Sequence, residues 1–533
     1  MANSATAPTK KELFGHPVGL YILFFTEMWE RFSYYGMRAI LVLYLVSATT
    51  GGNAGLGWTN AEALALYGWY TMLVYVASIP GGIIADKLLG QKKTVLVGGI
   101  ILVAGHGTLA IEEMWAFYTG LALIIAGVGM LKPNISTMVG GLYKEGDIRR
   151  DKGFTIFYIG INLGAFLSSL IVGYVGENIG WHWGFGLAGI AMALGLLVYL
   201  WGQKFLGEVG NLLSQAERDE GASFGGMFTD LFKSPLQLTI TSVLMALSVY
   251  YLIFHDLAYG FLFIFLTLVT AMMLMVYKDL TSQVMKDRYV VMLLSFILVI
   301  VFWGAFEQAG GLMNIYALEK TNRALPFSLP LIGNEIPASW FQSLNALFII
   351  IFGVIVANFW AKRKLKSKEA SSIFKMAIGV IIMGLGFVFM VFASMQFQTN
   401  GSSAMYWLVF AYLFHTIGEL SSSPVALSFI TKLAPMKYAS LMMGVYFAAT
   451  GLGNKVAGVV GEFSSEAGDQ SIFLGITIFT VSFAILVLLM LKPLKRLTHG
   501  VEDKETALPQ QEKFELSDDE LTHHRDGHNS DNR

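Results

Sequence analysis

Along the 533-residue chain, apolar runs of about 20 residues, each long enough to cross a hydrocarbon core, alternate with short polar connections. The pattern predicts spans near 18–47, 61–85, 94–111, 115–141, 154–176, 183–203, 234–254, 257–277, 289–316, 339–361, 372–394, 404–431, 439–461 and 471–491. Fourteen such helices make an all-α polytopic membrane protein. The connections themselves alternate in charge. One set holds Lys87, Lys92 and Lys93, then Lys144, Arg149, Arg150 and Lys152, then Lys362, Arg363, Lys364, Lys366 and Lys368, then Lys432 and Lys437. The other is poorer in basic residues and carries Glu112, Glu113, Glu177 and Glu335. By the positive-inside rule both termini lie in the cytoplasm, and the cytoplasmic (inner) membrane is the expected location. Twelve helices divide into a six-helix bundle over 18–204 and a second over 289–492, after a short cytoplasmic N-terminus, 1–17. Between them, 205–288 holds an extra helix pair around "YYLIFHDLAYG", an even insertion that preserves topology. Residues 493–533 form a polar cytoplasmic tail, read as solvated from about 495 onward.

Composition agrees: 55% of residues are hydrophobic and 14% charged, against about 25% charged in soluble domains. A net charge of -1 gives no electrostatic footprint for nucleic acid. With no cysteine there is no disulfide, thiolate chemistry or Cys-ligated metal. No nucleophile–His–acid set or paired-His motif emerges within the spans, so neither an enzyme, a cofactor nor a metal is expected. The N-terminal stretch "MANSATAPTKKELFGHP" lacks an apolar run and a cleavage site of its own, so the first helix is expected to direct insertion.

That first helix poses a problem. "FFTEMWERFSYYGMRAILVLYL" (Phe24–Leu45) carries Glu27, Glu30, Arg31 and Arg38 inside an otherwise apolar run. Each ionised side chain near a bilayer centre costs about 2.5–3.5 kcal/mol on insertion scales, so the four either pair or face water. At about 100° per residue, Glu27, Glu30, Arg31, Tyr34, Tyr35 and Arg38 share an arc of about 140°. Glu27 and Arg31, four apart, can pair directly; Arg38 needs a partner from another helix.

The segment "ExxERFxYYG" over Glu27–Gly36 resembles the first-helix signature of the proton-coupled oligopeptide transporter (POT) family. "GGIIADKLLGQKKT" (Gly81–Thr94), in which Asp86 can cap a neighbouring helix end, is similar to the loop motif of the major facilitator superfamily and to the POT second-helix signature. "FTIFYIGINLGAFLSS" (Phe154–Ser169) is similar to the POT fifth-helix signature around Asn162. The resemblance runs from about residue 17 to 492, and the inserted pair resembles the bacterial branch. It implies a major facilitator fold, with the substrate site at the midplane between the two bundles, and a symporter that imports di- and tripeptides with protons by alternating access.

Other charged and polar residues within the spans fit this frame. Lys132 in "GVGMLKPNIST" sits mid-run, where it either snorkels or serves pairing and ligand binding. The resemblance implies that it pairs with Glu30 and, with Arg38, faces the peptide carboxylate. Asn162 is a packing amide or a ligand, and Asn345 in "FQSLNALF" poses the same choice. "FWGAFEQAGG" sets Trp303 and Glu307 one turn apart, and "HTIGELSSSP" sets Glu419 four residues before Ser423; isolated intramembrane glutamates read as functional. The resemblance implies that Glu419 receives the peptide amino terminus and that Glu307 takes part in proton coupling with Arg38, beside the Glu27, Glu30 and Arg31 cluster. Tyr35 and Tyr75 carry over as pocket walls. Tyr446 stands where many relatives have tryptophan, and Gly68 where animal members have a proton-handling histidine, which shifts proton handling toward the carboxylates. His415 reads either as a relay or as a buried neutral histidine.

The physical logic also stands without the family. A short peptide is a zwitterion with fixed ends and a variable middle. A basic pair, Arg38 and Lys132, in one half and an acid, Glu419, in the other would clamp the constant parts while apolar walls accept varied side chains. The competing reading is a transporter of a small anion such as nitrate on the same fold, which needs positive charge only; four cavity carboxylates argue against it.

Overall fold

The computed structural model describes residues 11–144, 147, 149–212, 257–330, 333–435 and 438–502, with isolated positions at 239, 242, 243 and 246. The expected insert helix near 234–254 therefore falls outside the described residues, as does the chain beyond 502. The first bundle comprises α1 (Val18–Val46), α2 (Asn60–Val76), α3 (Gln91–Leu109), α4 (Met114–Gly141), α5 (Arg149–Asn178) and α6 (Trp181–Gly202). The second insert helix is α7 (Leu257–Asp279). The second bundle comprises α8 (Gln283–Phe306), continued after a break by α9 (Leu312–Glu319), then α10 (Ser343–Leu365), α11 (Ser372–Asn400), α12 (Met405–Leu433), α13 (Ala439–Glu462) and α14 (Asp469–Leu489).

Among the described residues nine helices are long and apolar enough to cross a membrane by length and composition alone. Helix α1 is not one of them, because every 18-residue window in it holds at least three of Glu27, Glu30, Arg31 and Arg38. The local rules of helix ends are visible elsewhere. Thr59 and Glu62 form a reciprocal capping box at the start of α2, and Gly401 closes α11 in the left-handed conformation. After α2 the chain continues through a short helix, Ser78–Ile84, and a π-turn, Ala85–Leu89, into α3. Asp86 on that turn is exposed beside Lys87, and α3 follows Gly90 with no side-chain cap, so Asp86 does not cap that helix.

Within the first bundle α1 lies against α5 and α6, and α3 against α4 and α6; within the second, α11 lies against α12 and α14, and α8 against α13. The bundles meet where α2 packs on α13 and α5 on α10. The α2/α13 seam closes to backbone contact: a Cβ added at Gly68 would stand 2.9 Å from the Cα of Gly458. A side chain at either position would push the bundles apart.

Polar contacts concentrate at the end of the bundles where α1 and α5 finish, called here the far end. Glu177 accepts from the backbone N–H of Ala338 (2.7 Å) and Ser339 (2.8 Å) and from the Ser339 hydroxyl (2.5 Å), with Arg323 3.8 Å away. Trp340 Nε1 donates to the Leu170 carbonyl at 2.9 Å, and Asn314 Nδ2 to that of Ala39 at 2.9 Å.

Two boundaries differ from the sequence reading. The span expected over 289–316 breaks at 307–311, for reasons that belong to the site. The tail does not leave at 495: Leu491–Leu497 form a further short helix, and the chain to residue 502 folds under the second bundle. Arg288 Nε donates to the Thr498 carbonyl at 3.0 Å, Lys495 pairs with Glu369 at 2.8 Å, and Glu502 accepts from the N–H of Ser372 at 3.1 Å. The polar composition that suggested solvation instead supplies partners for the loop between α10 and α11.

Burial alone would raise the Glu369 carboxyl, but the Lys495 ammonium and the Ser371 N–H outweigh it and hold the group at about 2. Its folded value lies below the ordinary 4.5, so the contribution of these bonds is complete above about 4.5 and is lost as pH falls from there toward about 2. In limited proteolysis, Glu369→Gln should speed cleavage within 491–502 about two- to fivefold at neutral pH. The wild type should reach the same sensitivity only as pH falls to about 2; identical rates for both proteins at neutral pH would show that the tail docks without this pair.

Candidate functional site

The charges of α1 resolve into two groups. The first is a cluster within the first bundle. Arg31 Nε lies 3.0 Å from Glu27 Oε1 and also bonds Glu30, and all three residues are at most 2% exposed. Lys132 of α4 interacts with Arg31, Glu30 and Glu27, so two acids and two bases balance. The pairing differs from that implied by the family resemblance: Glu30 is held by Arg31, its sequence neighbour, and the Lys132 ammonium instead stands 3.9 Å from the centroid of the Tyr75 ring. A half-buried cation so placed is stabilised by about 1 kcal/mol, and it keeps its N–H donors for another acceptor.

The second group joins the bundles. Arg38 Nη1 lies 3.3 Å from Glu307 Oε1, and the Tyr67 hydroxyl of α2 donates to Glu307 Oε2 at 2.9 Å. Glu307 and Tyr67 are 1% exposed and Arg38 9%. The break in the span creates this geometry. Helix α8 stops at Phe306, a 3-10 turn runs over Glu307–Ala309, and Gly310 and Gly311 precede α9. Gly310 is required by contact: an added Cβ would fall 2.0 Å from the Tyr67 hydroxyl and 2.9 Å from Arg38 Nη2. The guanidinium also faces Tyr35, with Cζ 5.4 Å from its ring centroid.

Glu419 belongs to the second bundle alone. Asn345 Nδ2 donates to Glu419 Oε2 at 2.8 Å and lies 3.1 Å from the Thr416 hydroxyl. The carboxylate thus has an amide for a near partner, yet it lies close enough to Glu307 and Arg38 to interact with both. Tyr75 interacts with Glu307, Arg31, Arg38 and Glu419, and Tyr446 with Tyr75, Ser423 and Glu419. Arg38, Tyr35, Tyr75, Lys132, Glu307, Asn345, Glu419, Ser423 and Tyr446 therefore surround one place between the bundles.

Two sequence candidates are placed less directly. Asn162 Nδ2 donates to the Tyr158 carbonyl of its own helix at 2.9 Å, the bond of a packing amide; Tyr158 in turn interacts with Glu419 and Tyr35. Trp303 packs edge to face on Phe302 and Phe306 and stands over Gly453 of α13. His415 is 1% exposed, its ring centroid 4.4 Å from that of Phe387, with no hydrogen bond to either nitrogen among the described residues; it packs against that ring. A cavity of about 650 Å³ lined by Asn322, Ile336, Trp340 and Tyr406 lies near the far end and takes in none of these charges.

Sequence reasoning missed Tyr67 and Gly310. Tyr67 precedes Gly68 and reads as one aromatic among many; Gly310 sits in "EQAGG", where a paired glycine after a buried glutamate was the available signal.

A six-plus-six helical architecture, an added helix and buried charges between the bundles mark a secondary transporter of major facilitator type. The profile of the POT family matches residues 92–472, and the chain belongs to that family. It is 38% identical to YclF, an uncharacterised transporter of Bacillus subtilis (strain 168), over 92% of this chain and 97% of that protein. It is 36% identical to a di-/tripeptide transporter of Lactococcus lactis subsp. cremoris, over 92% and 99%. Among solved structures it is similar to a POT family transporter in complex with a thioalcohol-conjugated peptide, at 31% identity and a TM-score of 0.76, covering 91% of this chain and 98% of that one.

The Gly310 contact is testable by thermal unfolding in detergent. Gly310→Ala should lower the Tm by several degrees, and Tyr67→Phe in the same chain should recover about half of the loss, because the colliding hydroxyl is gone. Strictly additive losses would show that the two residues do not oppose one another.

Proposed function

We propose that this protein imports di- and tripeptides together with protons across the cytoplasmic membrane, by rocking the bundles 18–204 and 289–492 about the site between them. Both termini lie on the cytoplasmic side, consistent with the basic connections at their end. The far end then faces outward, and its contacts through Glu177, Trp340 and Asn314 give an outwardly closed state; import requires that they part.

One observation carries the mechanism: the cation expected to receive a peptide carboxylate, Arg38, is already paired with Glu307. A peptide carboxylate that takes Arg38 leaves Glu307 without its counter-ion in a site of low dielectric, where it is discharged by taking a proton. Binding and protonation are thereby linked through a single guanidinium. Lys132, whose ammonium has no carboxylate within ion-pair distance among the described residues, adds a second donor for the same end of the peptide. Glu419, bonded to a neutral amide, offers a carboxylate to the peptide ammonium. Arg38 and Lys132 belong to the first bundle and Glu419 to the second, so a ligand bound at both ends makes different contacts in the open and closed states and shifts the equilibrium between them. Tyr35, Tyr75, Asn162, Trp303, Asn345, Ser423 and Tyr446 form the walls. The Glu27, Glu30, Arg31 cluster is the second candidate for the proton. Each charge moved inward through 100 mV supplies about 2.3 kcal/mol, or about fiftyfold in accumulation.

Uptake of labelled dialanine into vesicles tests the coupling. With Glu307→Gln, gradient-driven accumulation should vanish while exchange of labelled for unlabelled peptide persists, since exchange needs no net proton movement. Retained uphill uptake would move the proton to the first-helix cluster, and loss of both activities would make Glu307 structural.

The amino end is tested by competition. Glu419→Gln should weaken a free-amine dipeptide about ten- to a hundredfold, the value of an ionic hydrogen bond, and leave an N-acetylated one nearly unchanged. Equal losses for the two ligands would remove Glu419 from the binding role.

A further inference from the structure

Lys455 takes no part in the site above. It lies on α13 with 2% of its surface exposed, and a Cβ added at Gly68 of α2 would come 3.5 Å from its Cδ. Its Nζ stands 4.7 Å from the centroid of the Trp69 ring and 5.2 Å from that of Tyr259. Those two rings meet edge to face with centroids 5.4 Å apart. Glu462, two turns along α13, supplies the counter-charge at 3.2 Å. One withdrawn ammonium is therefore shared among α2 of the first bundle, α13 of the second and α7 of the insert, with aromatic faces in place of water.

The opposite end of α7 is fastened to the second bundle. The Tyr289 hydroxyl of α8 donates to the Met273 carbonyl at 2.9 Å, and that of Tyr438, just before α13, to Asp279 Oδ2 at 2.8 Å. A short link, 280–282, joins α7 directly to α8. We infer that α7, the described helix of the insert, is a clamp on the α2/α13 seam: it travels with the second bundle, and its Tyr259 ring together with Lys455 grips Trp69 of the first, holding the far end shut. This borrows from the preceding reading only that the bundles part there.

The chain has no cysteine, so Leu64→Cys, at a position 1% exposed and facing Gly311, Gly458 and Gly461 across the seam, gives a single reporter of opening. The rate of its reaction with a maleimide is measured on the full chain in lipid nanodiscs. Tyr259→Leu should raise that rate about five- to thirtyfold, the range for loss of one cation–π contact out of water. Tyr259→Phe keeps the ring and should stay within about twofold of the parent. Should the leucine variant fail to accumulate, the same two replacements are made at Trp69. An unchanged rate in the leucine variant, or an equal rise with phenylalanine, overturns the clamp. Peptide uptake is not read in this assay, so failure of the peptide assignment and failure of the clamp are separate results.

Discussion

Ionised groups withdrawn from water have to find one another, and in this protein one such pair, Arg38 with Glu307, spans the gap between two bundles. Much of the central architecture follows from that constraint. The long span that carries Glu307 is interrupted so that the carboxylate meets the guanidinium; a tyrosine from a third helix takes the remaining oxygen; and a glycine clears the space where they converge. The Glu27, Glu30, Arg31 and Lys132 group meets the same constraint inside a single bundle. A pair closed within one rigid body survives any motion of the other, whereas a pair shared between bodies is remade or broken whenever they move. The two sets of charges on α1 are thus suited to different tasks, one to holding the helix in place and one to reporting on the partner bundle.

Much of this was legible in the chain. The order of the described spans follows from apolar run length, and the polar arc of α1 follows from a period of 3.6. Glu307, Glu419 and Lys132 stood out because a charge within an apolar run calls for an explanation. What escaped was whatever depends on distance between helices rather than on spacing along one. The sequence could not show that Glu30 turns to its neighbour Arg31 while Lys132 settles on an aromatic face, since both pairings satisfy the same charge count. Tyr67 was hidden for a similar reason: a tyrosine in a membrane helix is ordinary until a carboxylate lies within reach of its hydroxyl. The polar residues of 491–502 misled in the other direction, because a stretch too polar to be buried in lipid can still dock on a polar loop.

The two ends of the bundles hold together by different means. At the far end Glu177 gathers backbone and hydroxyl donors from the turn before α10, a geometry that depends on the position of a whole segment. Along the α2/α13 seam the bundles touch mainly through glycines, with Asn454 Nδ2 donating to the Thr71 carbonyl at 3.4 Å and Lys455 over the Trp69 ring. Directional bonds set the register at the far end, while the glycine seam sets how closely the two bundles approach.

The break at 307–311 divides one membrane crossing into two pieces with different attachments. Helix α8 is packed on α13 of its own bundle, while α9 reaches across through Asn314 to the carbonyl of Ala39. A continuous helix would transmit any tilt of its outer third straight through its length. With the joint in place, the outer segment can stay with its neighbour for part of the movement while the inner segment turns with its own bundle. The joint thereby uncouples the two pieces, and the carboxylate that sits on it touches groups of the other bundle.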